Sequence, residues 1–407
     1  MKNKYEPFDG GVCTPKGFKA SGIHCGIRKN QLKKDLALIL SDVECSAAAV
    51  YTQNKVVGAP ITVTQTNLEN GIARAVICNS GNANTCNADG IEKALIMCEL
   101  TAKATGISAN DIIVASTGVI GQTIHTEPIE NGMNDLVAGL HRDGTDAANA
   151  IMTTDTFVKQ TAVKCVIDGC DVNIGMMAKG SGMIEPNMAT MLCFMTTDVA
   201  ISTSMLQIAL KAAIDKSINM VSVDGDTSTN DMASIMASGL AGNAPILQTG
   251  EALTVFTEAL TAACIHMARM IAKDGEGATK LITCTVTGAP NDSTARIVAK
   301  SVINSSLLKA AMFAADANCG RIMCAIGYSK ADFAVETINV TLKSGKGTID
   351  VCQNGNGLPF DEDVAKLVLM EDEIEIIVDM CQGMSTAVAW GCDLTYDYVK
   401  INGSYRS

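Results

Sequence analysis

The chain has 407 residues, of which 47% are hydrophobic and 18% are charged, so it can bury a large core and is not expected to be disordered. Its length predicts two domains rather than one. The net charge of −12 argues against a protein that binds nucleic acid through a basic face.

The cysteines, the histidines and the N-terminus bear on compartment and metal content. MKNKYEPFDGG lacks the apolar core of a signal peptide, and no run approaches the roughly 18 apolar residues of a membrane span. The 16 cysteines contain no C-x-x-C pair, and the 4 histidines have no metal-ligand spacing. We therefore expect a cytoplasmic protein with reduced, mostly buried thiols, no metal, no membrane partner and no nucleic-acid partner.

Strand and helix patterns alternate along the chain. The predicted strands cover residues 37–52, 59–66, 73–78, 111–115, 280–288, 337–345 and 347–355. The predicted helices cover residues 92–104, 128–141, 204–218, 258–275 and 306–320. TAVKCVIDGCDVNIG is predicted to form a β-hairpin that turns at Asp168–Gly169. This mixture predicts α/β or α+β layers, not a simple doubly wound sheet.

The polar loop SVDGDTSTND contains three aspartates at calcium-like spacing, Asp224, Asp226 and Asp231. The EF-hand pattern requires glycine at its sixth position, and Thr229 occupies that position here. We therefore discount a calcium site.

The stretch NMATMLCFM places Thr190 between the small residue Ala189 and an apolar run. One interpretation is a buried strand whose threonine bonds to the backbone. The other is self-cleavage of the Ala189–Thr190 bond, which would give Thr190 a free α-amine. Such an amine has a pKa near ~8 and can take the proton of the hydroxyl on the same residue, which makes that hydroxyl a nucleophile. This chemistry needs neither histidine nor metal.

Other loops contain groups that could complete such a site. In STGVIG, Thr117 has a hydroxyl and Gly118 a backbone N–H, both suited to an oxyanion, although the pattern is also that of an ordinary strand-to-turn junction. Lys179 precedes Thr190 by eleven residues and can hold a carboxylate, or be a solvated loop charge. Glu276 in DGEGATK can bind an ammonium group, or merely follow a helix C-terminus.

Five stretches in the same order make the combination specific: STGVIG, IMTTDT, MAKGSGMIEPNMATMLCFMTTD, DGEGATK and NGSYRS. Together they resemble the glutamate N-acetyltransferase (ornithine acetyltransferase) family of arginine biosynthesis. The resemblance extends from GFKASGIHCGIRKNQ to the last residue.

The resemblance implies an activity and a set of residues. The chain is expected to cleave itself at Ala189–Thr190, and Thr190 then takes an acetyl group from N2-acetyl-L-ornithine and passes it to L-glutamate in a ping-pong cycle. Some members also accept acetyl-CoA, and the sequence leaves that donor open. Thr117 and Gly118 are the expected oxyanion donors, and no cofactor is expected. The expected substrate-binding residues are Thr153, Lys179, Thr190, Glu276, Asn402 and Ser407, with Thr154 as the alternative to Thr153.

The resemblance also implies the architecture. It is a DmpA/ornithine acetyltransferase-like layered α/β sandwich, with helices outside two sheets and a smaller C-terminal α/β domain. Cleavage would give fragments 1–189 and 190–407, assembled as a heterotetramer of two copies of each. The structural split is expected at about 1–285 and 286–407, with the tail returning to the active site.

Two alternative functions are kept at this point. A self-cleaving aminopeptidase or amidase of the same architecture would use water as the acceptor and release mostly free acetate. A non-enzymatic binding protein would remain an intact chain of 42.5 kDa.

Overall fold

The computed structural model describes residues 5–185 and 191–404. The strands are β1 (Phe18–Ile23), β2 (Leu36–Tyr51), β3 (Ile72–Asn82), β4 (Ile112–Val119), β5 (Lys159–Ile167), β6 (Cys170–Lys179), β7 (Leu192–Thr197), β8 (Val221–Ser222), β9 (Met232–Ala237), β10 (Leu281–Ala289), β11 (Asn339–Ser344), β12 (Gly347–Gln353), β13 (Asn356–Gly357), β14 (Glu373–Asp379) and β15 (Ser385–Cys392). The helices are α1 (Ala59–Asn67), α2 (Gly90–Thr105), α3 (Glu127–Ala138), α4 (Thr145–Ile151), α5 (Thr203–Asp215), α6 (Glu251–Lys273), α7 (Asp292–Asn304), α8 (Ser306–Phe313), α9 (Cys319–Gly327), α10 (Glu362–Leu369) and α11 (Tyr396–Gly403).

The chain divides into two compact units. The described residues of the first unit are 5–180, 191–219 and 227–267. Those of the second are Ser181–Glu185, Met220–Asp226 and 268–404. The expected split at 285/286 stays a prediction.

The sheet of the first unit has the strand order β4-β3-β2-β9-β7-β6-β5, and β1 pairs with β2. Neighbouring residues of β2 enter different core clusters: Leu38 packs with residues of α2 and α3, whereas Ile39 packs with residues of α4. Successive side chains of a strand point to opposite faces, so both faces of this part of the sheet are buried. That double burial explains the long apolar runs in the sequence.

The predicted hairpin at Asp168–Gly169 is confirmed. Ile167 pairs with Cys170 across a two-residue turn between β5 and β6. Asp168 has φ 51° and Gly169 has φ 75°, both in the left-handed region that a type I′ turn requires. On the other side of β6, its last residue, Lys179, pairs with Leu192 of β7.

The prediction of a strand at residues 59–66 is wrong, because this segment belongs to helix α1. Pro60 lies in the first turn, where its missing N–H removes no helical hydrogen bond. The buried residues include Pro60, Ile61, Thr64 and Asn67, which are spaced as one helical face. The Thr64 hydroxyl donates to the Val114 carbonyl oxygen (2.8 Å) and accepts from the Val114 N–H (2.9 Å). These tertiary contacts outweigh the strand preference of Thr and Val.

The sheet of the second unit has the order β13-β12-β11-β14-β10-β15-β8. Helix α7 packs on β15 and β10, and α10 packs on β11 and β12. The predicted helix 306–320 is wrong in its second half, because α8 ends at Phe313 and Ala315 adopts a left-handed φ of 54°. The expected mixed α/β class, with two sheets flanked by helices, is confirmed.

Helix α6 overlaps the predicted helix 258–275. It is long and apolar enough to cross a membrane by length and composition, whereas the sequence analysis found no run of that kind. Since 56% of its most apolar window is buried, it also fits a core helix. In residues 5–185 and 191–404, no group of three or more His, Cys, Asp or Glu side chains could hold a metal ion. All 16 cysteines are free thiols, and most are buried, as expected.

Candidate functional site

The expected oxyanion residues lie where β3 and β4 end side by side. These strands are parallel, and Gly118 is paired with Gly81. A Cβ atom at Gly118 would lie 2.3 Å from the carbonyl carbon of Gly81, and Gly118 has a φ of 132°. Only glycine allows this close approach, so the backbone N–H of Gly118 is held without a side chain beside it. Thr117, the preceding residue, is buried.

A buried amide fixes the end of β4. Asn230 donates from Nδ2 to the carbonyl oxygens of Ser116 (3.0 Å) and Ala83 (2.6 Å). Its Oδ1 accepts a hydrogen bond from the Thr85 hydroxyl (2.5 Å). Buried polar groups that are satisfied in this way hold one backbone arrangement. Asn230 therefore positions the residue next to Thr117.

Lys179, at the end of β6, contacts the same strand. Its Nζ donates to the Thr117 hydroxyl oxygen at 3.3 Å. Burial lowers the pKa of the Lys179 ammonium, and the carboxylates of Asp155 and Asp231 oppose that shift. The structure therefore brings the Lys179 amino group and the Thr117 hydroxyl, an expected oxyanion donor, together.

Asp155 organises the other expected substrate residue of this unit, and the sequence analysis missed it. One carboxylate oxygen accepts from Lys159 Nζ (2.7 Å) and from the Gly180 N–H (2.7 Å). The other oxygen accepts from the Thr153 N–H (2.8 Å). Burial alone would raise the pKa of Asp155, but the charges of Lys159 and Lys179 outweigh it and lower the pKa to about 2. Asp155 thus fixes the backbone of Thr153 and the chain that follows Lys179.

A second buried carboxyl group lies near Lys179. Asp231 is 2% exposed, and its Oδ2 has no hydrogen-bond partner within the part of the chain that the structure describes. Burial raises the pKa of Asp231 well above its ordinary value, against the opposing charge of Lys179. Met232, which follows it, donates its N–H to the carbonyl oxygen of Met191 (2.9 Å). Asp231 therefore lies directly before β9, whose first residue is hydrogen-bonded to Met191, the residue that follows Thr190 in the sequence.

In the second unit, the structure brings Glu276 and Asn402 together. Asn402 lies on α11 and donates from Nδ2 to Glu276 Oε2 at 2.6 Å. The Glu276 N–H donates to the Ser181 carbonyl oxygen (2.9 Å). The Glu276 carboxylate lies against Gly182, where a Cβ would come within 2.4 Å of its carboxyl carbon. Glu276 is only 8% exposed, and its carboxylate is held by Asn402 rather than being a loose charge after a helix.

The remaining expected residues, Ala189, Thr190 and Ser407, lie outside the described residues. Among the described residues, sequence reasoning missed Asp155 and discounted Asp231. Two signals for Asp155 are present in the sequence: its place in the IMTTDT stretch and its spacing of four residues from Lys159, which is ambiguous outside a helix.

Comparison with known proteins gives concordant matches. The profile of the ArgJ family matches residues 19–407. The arginine biosynthesis bifunctional protein ArgJ of Caldanaerobacter subterraneus subsp. tengcongensis is 48% identical over 404 residues, which covers 99% of this chain and 100% of the relative.

Two solved structures are also similar. The arginine biosynthesis bifunctional protein argJ of Bacillus halodurans is 47% identical, with 52% of this chain and 97% of the solved chain covered at a TM-score of 0.49. The ornithine acetyltransferase of Mycobacterium tuberculosis, complexed with ornithine, is 35% identical, with 45% of this chain and 99% of that chain covered at a TM-score of 0.42.

Proposed function

The chain belongs to the ArgJ family, and from that premise we propose that it transfers an acetyl group from N2-acetyl-L-ornithine to L-glutamate. It is an acyltransferase of arginine biosynthesis that binds small amino-acid substrates. The observation that carries this proposal is the family match over nearly the whole chain. A self-cleaving aminopeptidase or amidase is not favoured.

The nucleophile is created by the chain itself. Attack of the Thr190 hydroxyl on the Ala189 carbonyl carbon forms an ester as the Ala189–Thr190 C–N bond breaks and the released α-amine takes the hydroxyl proton. Water then hydrolyses the ester, which returns the Thr190 hydroxyl and gives a first fragment ending in the Ala189 carboxylate. The new α-amine of Thr190 then accepts the hydroxyl proton in each catalytic cycle. We assign the cleaved enzyme two copies of each fragment and a cytoplasmic location.

Acetyl transfer proceeds in two balanced steps. The Thr190 oxygen attacks the acetyl carbonyl carbon of acetylornithine, the amide C–N bond breaks, and the departing ornithine amine takes the proton. The α-amine of glutamate then attacks the acetyl ester, the C–O bond breaks, and the threonine oxygen recovers a proton. Both steps pass through a tetrahedral oxyanion.

The described geometry supports the assignment of oxyanion stabilisation to Thr117 and Gly118. A backbone N–H that cannot move needs no reorganisation when charge develops on the substrate. Lys179 donates to the Thr117 hydroxyl oxygen at 3.3 Å, which leaves the Thr117 hydroxyl proton free to point to the developing oxyanion. Removing one such donor lowers kcat by about 10²–10³-fold in other enzymes.

The substrate-binding roles follow the charges. Glu276 is assigned to an ammonium group of ornithine or glutamate, with Asn402 fixing its carboxylate at 2.6 Å. Lys179 is assigned to a substrate carboxylate, and Thr153 to the substrate backbone. Ser407 is assigned to the same site from the resemblance alone. Acetyl-CoA is a second donor to be tested.

The experiment is a partition assay with purified enzyme, acetyl-labelled N2-acetyl-L-ornithine and L-glutamate. We expect labelled acetylglutamate to form faster than free acetate, and the Thr190→Ala variant to form neither. Mostly free acetate in the presence of saturating glutamate would favour the hydrolase instead. Replacing acetylornithine by acetyl-CoA in the same assay measures the second donor.

A further inference from the structure

Residues Ser181–Glu185, here called the stub, are the last described residues before the expected cleavage bond. Their contacts lie within the second unit. The Val223 N–H donates to the Ile184 carbonyl oxygen (2.8 Å), and Lys300 Nζ forms an ion pair with Glu185 (2.7 Å). Cleavage at Ala189–Thr190 would assign the stub to the first fragment and both of these partners to the second.

The carboxylate of Asp224 is the main anchor of the stub. Its Oδ2 accepts the N–H of Met183 (2.7 Å), and its Oδ1 accepts the N–H of Ile184 (2.8 Å). Hydrogen bonds to an ionised acceptor are the stronger kind. Met183 is held at a left-handed φ of 55°, which a residue with a side chain rarely adopts, so this conformation depends on its partners.

The same carboxylate also holds the helix that carries Asn402. The Tyr398 hydroxyl donates to Asp224 Oδ2 at 3.2 Å. Tyr398 and Asn402 are four residues apart on α11 and therefore share a face of the helix. Burial, followed by the negative charge of Asp224, raises the pKa of Tyr398, so the hydroxyl stays protonated and remains a donor.

These hydrogen bonds form a closed network that includes the Glu276–Asn402 pair. Asp224 binds the stub and Tyr398, Asn402 on the same helix binds Glu276, and the Glu276 N–H returns to Ser181 of the stub. The stub also packs against the Glu276 carboxylate, because Gly182 of the stub lies directly beside that carboxylate. A shift of the stub would therefore displace the carboxylate that the enzyme presents to substrate.

We propose that Asp224 is a positioning residue that ties the stub to α11 and thereby keeps Glu276 and Asn402 in their substrate-binding geometry once the chain is cut. This inference rests on the proposed function. Before cleavage the stub is covalently continuous with the rest of the chain. Afterwards it is attached to the first fragment only through Gly180, and noncovalent contacts, of which Asp224 supplies two to the backbone, replace the lost connection at its other end.

The first test compares Asp224→Asn with Asp226→Asn. An asparagine has one acceptor oxygen, so it cannot accept both stub N–H groups as the carboxylate does. We expect the KM of Asp224→Asn for acetylornithine or glutamate to rise about tenfold, with kcat within about twofold of wild type. Asp226→Asn removes the same charge two residues away, at an exposed side chain, and should keep the wild-type KM.

Tyr398→Phe removes the tail contact alone and covers the case in which Asp224→Asn fails to fold. We expect its KM to rise severalfold, and the double variant with Asp224→Asn to show less than the sum of the two effects, because both changes break one contact. Unchanged KM in both single variants, or a loss confined to kcat, would overturn the proposal.

A second readout is the urea concentration at half-unfolding, followed by circular dichroism, in the cut enzyme and in an uncut Thr190→Ala background. Asp224→Asn should lower this concentration in the cut enzyme by more than it does in the uncut background. Equal effects in both backgrounds would contradict the proposed role. Wild-type protein that stays uncut would overturn the cleavage scheme itself, whereas a cut, active Asp224→Asn enzyme with wild-type KM would overturn only the role of Asp224.

Discussion

Replacing Asp155 by asparagine tests how the electrostatics of the first unit hold its site. Asp155 is 5% exposed and Lys159 is 0% exposed, and their charged atoms are 2.7 Å apart. The pKa of Asp155 is lowered from 3.8 to about 2, which corresponds to about 2 kcal/mol of favourable interaction for the ionised form. The substitution also removes the carboxylate that lies 2.7 Å from the buried Lys159 ammonium, and breaking a comparable buried pair costs about 3–5 kcal/mol. At neutral pH we therefore expect Asp155→Asn to lower the free energy of unfolding by an amount closer to the second value, about 3–5 kcal/mol.

The pH dependence of this effect has a definite sign. A carboxyl group with a depressed pKa in the folded state stabilises the protein above its unfolded pKa, and this contribution is lost as pH falls through the folded pKa. The stability difference between wild type and Asp155→Asn should therefore be constant above about pH 4 and shrink as pH falls toward about 2.

The assay is urea unfolding followed by circular dichroism, at pH 7 and at steps below pH 4, in the Thr190→Ala background, in which the chain is expected to stay uncut. The matched control is Asp155→Asn combined with Lys159→Met, which removes both charges of the buried pair and should be more stable than Asp155→Asn alone. Wild-type stability of Asp155→Asn at pH 7, or a difference that persists undiminished to pH 2, would refute the reasoning.

Two glycine substitutions test the close approaches at the site. Gly118→Ala should lower kcat by about 10²-fold because its Cβ would lie 2.3 Å from the Gly81 carbonyl carbon; Gly121→Ala, also at positive φ but with nothing within 4 Å, should keep most of the activity. Equal losses of kcat in these two variants would mean that backbone strain at positive φ, and not the close approach of Gly118 to Gly81, causes the loss. Gly182→Ala should raise the KM about tenfold by displacing the Glu276 carboxylate, and an unchanged KM would remove that carboxylate from substrate binding.

Local signals predicted the elements that depend on local physics. The Asp168–Gly169 turn was readable because a two-residue hairpin requires left-handed φ values that these residues tolerate. Helix α1 was not readable by propensity, since Val63 and Thr64 favour strands, and the hydrogen bonds of Thr64 to β4 decide the outcome. Its helical spacing of buried residues was present in the sequence and was outweighed there by the β-branched composition.

The site residues also divide into those that the sequence could indicate and those that only the fold reveals. Thr117, Gly118 and Lys179 could be assigned because the resemblance supplied their order along the chain. The supporting roles of Asp155 and Asp231 could not be assigned, because the IMTTDT stretch that contains Asp155 and the loop that contains Asp231 do not show what either carboxyl group contacts. Only the fold shows that the first is enclosed by two lysines and that the second is buried beside one. Burial changes the chemistry of a carboxyl group, and burial is a tertiary property.

The most direct test of the account is the mass of the enzyme after brief incubation with N2-acetyl-L-ornithine in the absence of glutamate, measured under denaturing conditions. We predict two fragments, 1–189 and 190–407, with one additional acetyl group on the second fragment, located at Thr190 and removed by added glutamate. An intact chain that still transfers acetyl groups, or an acetyl group on any other residue, would contradict the account.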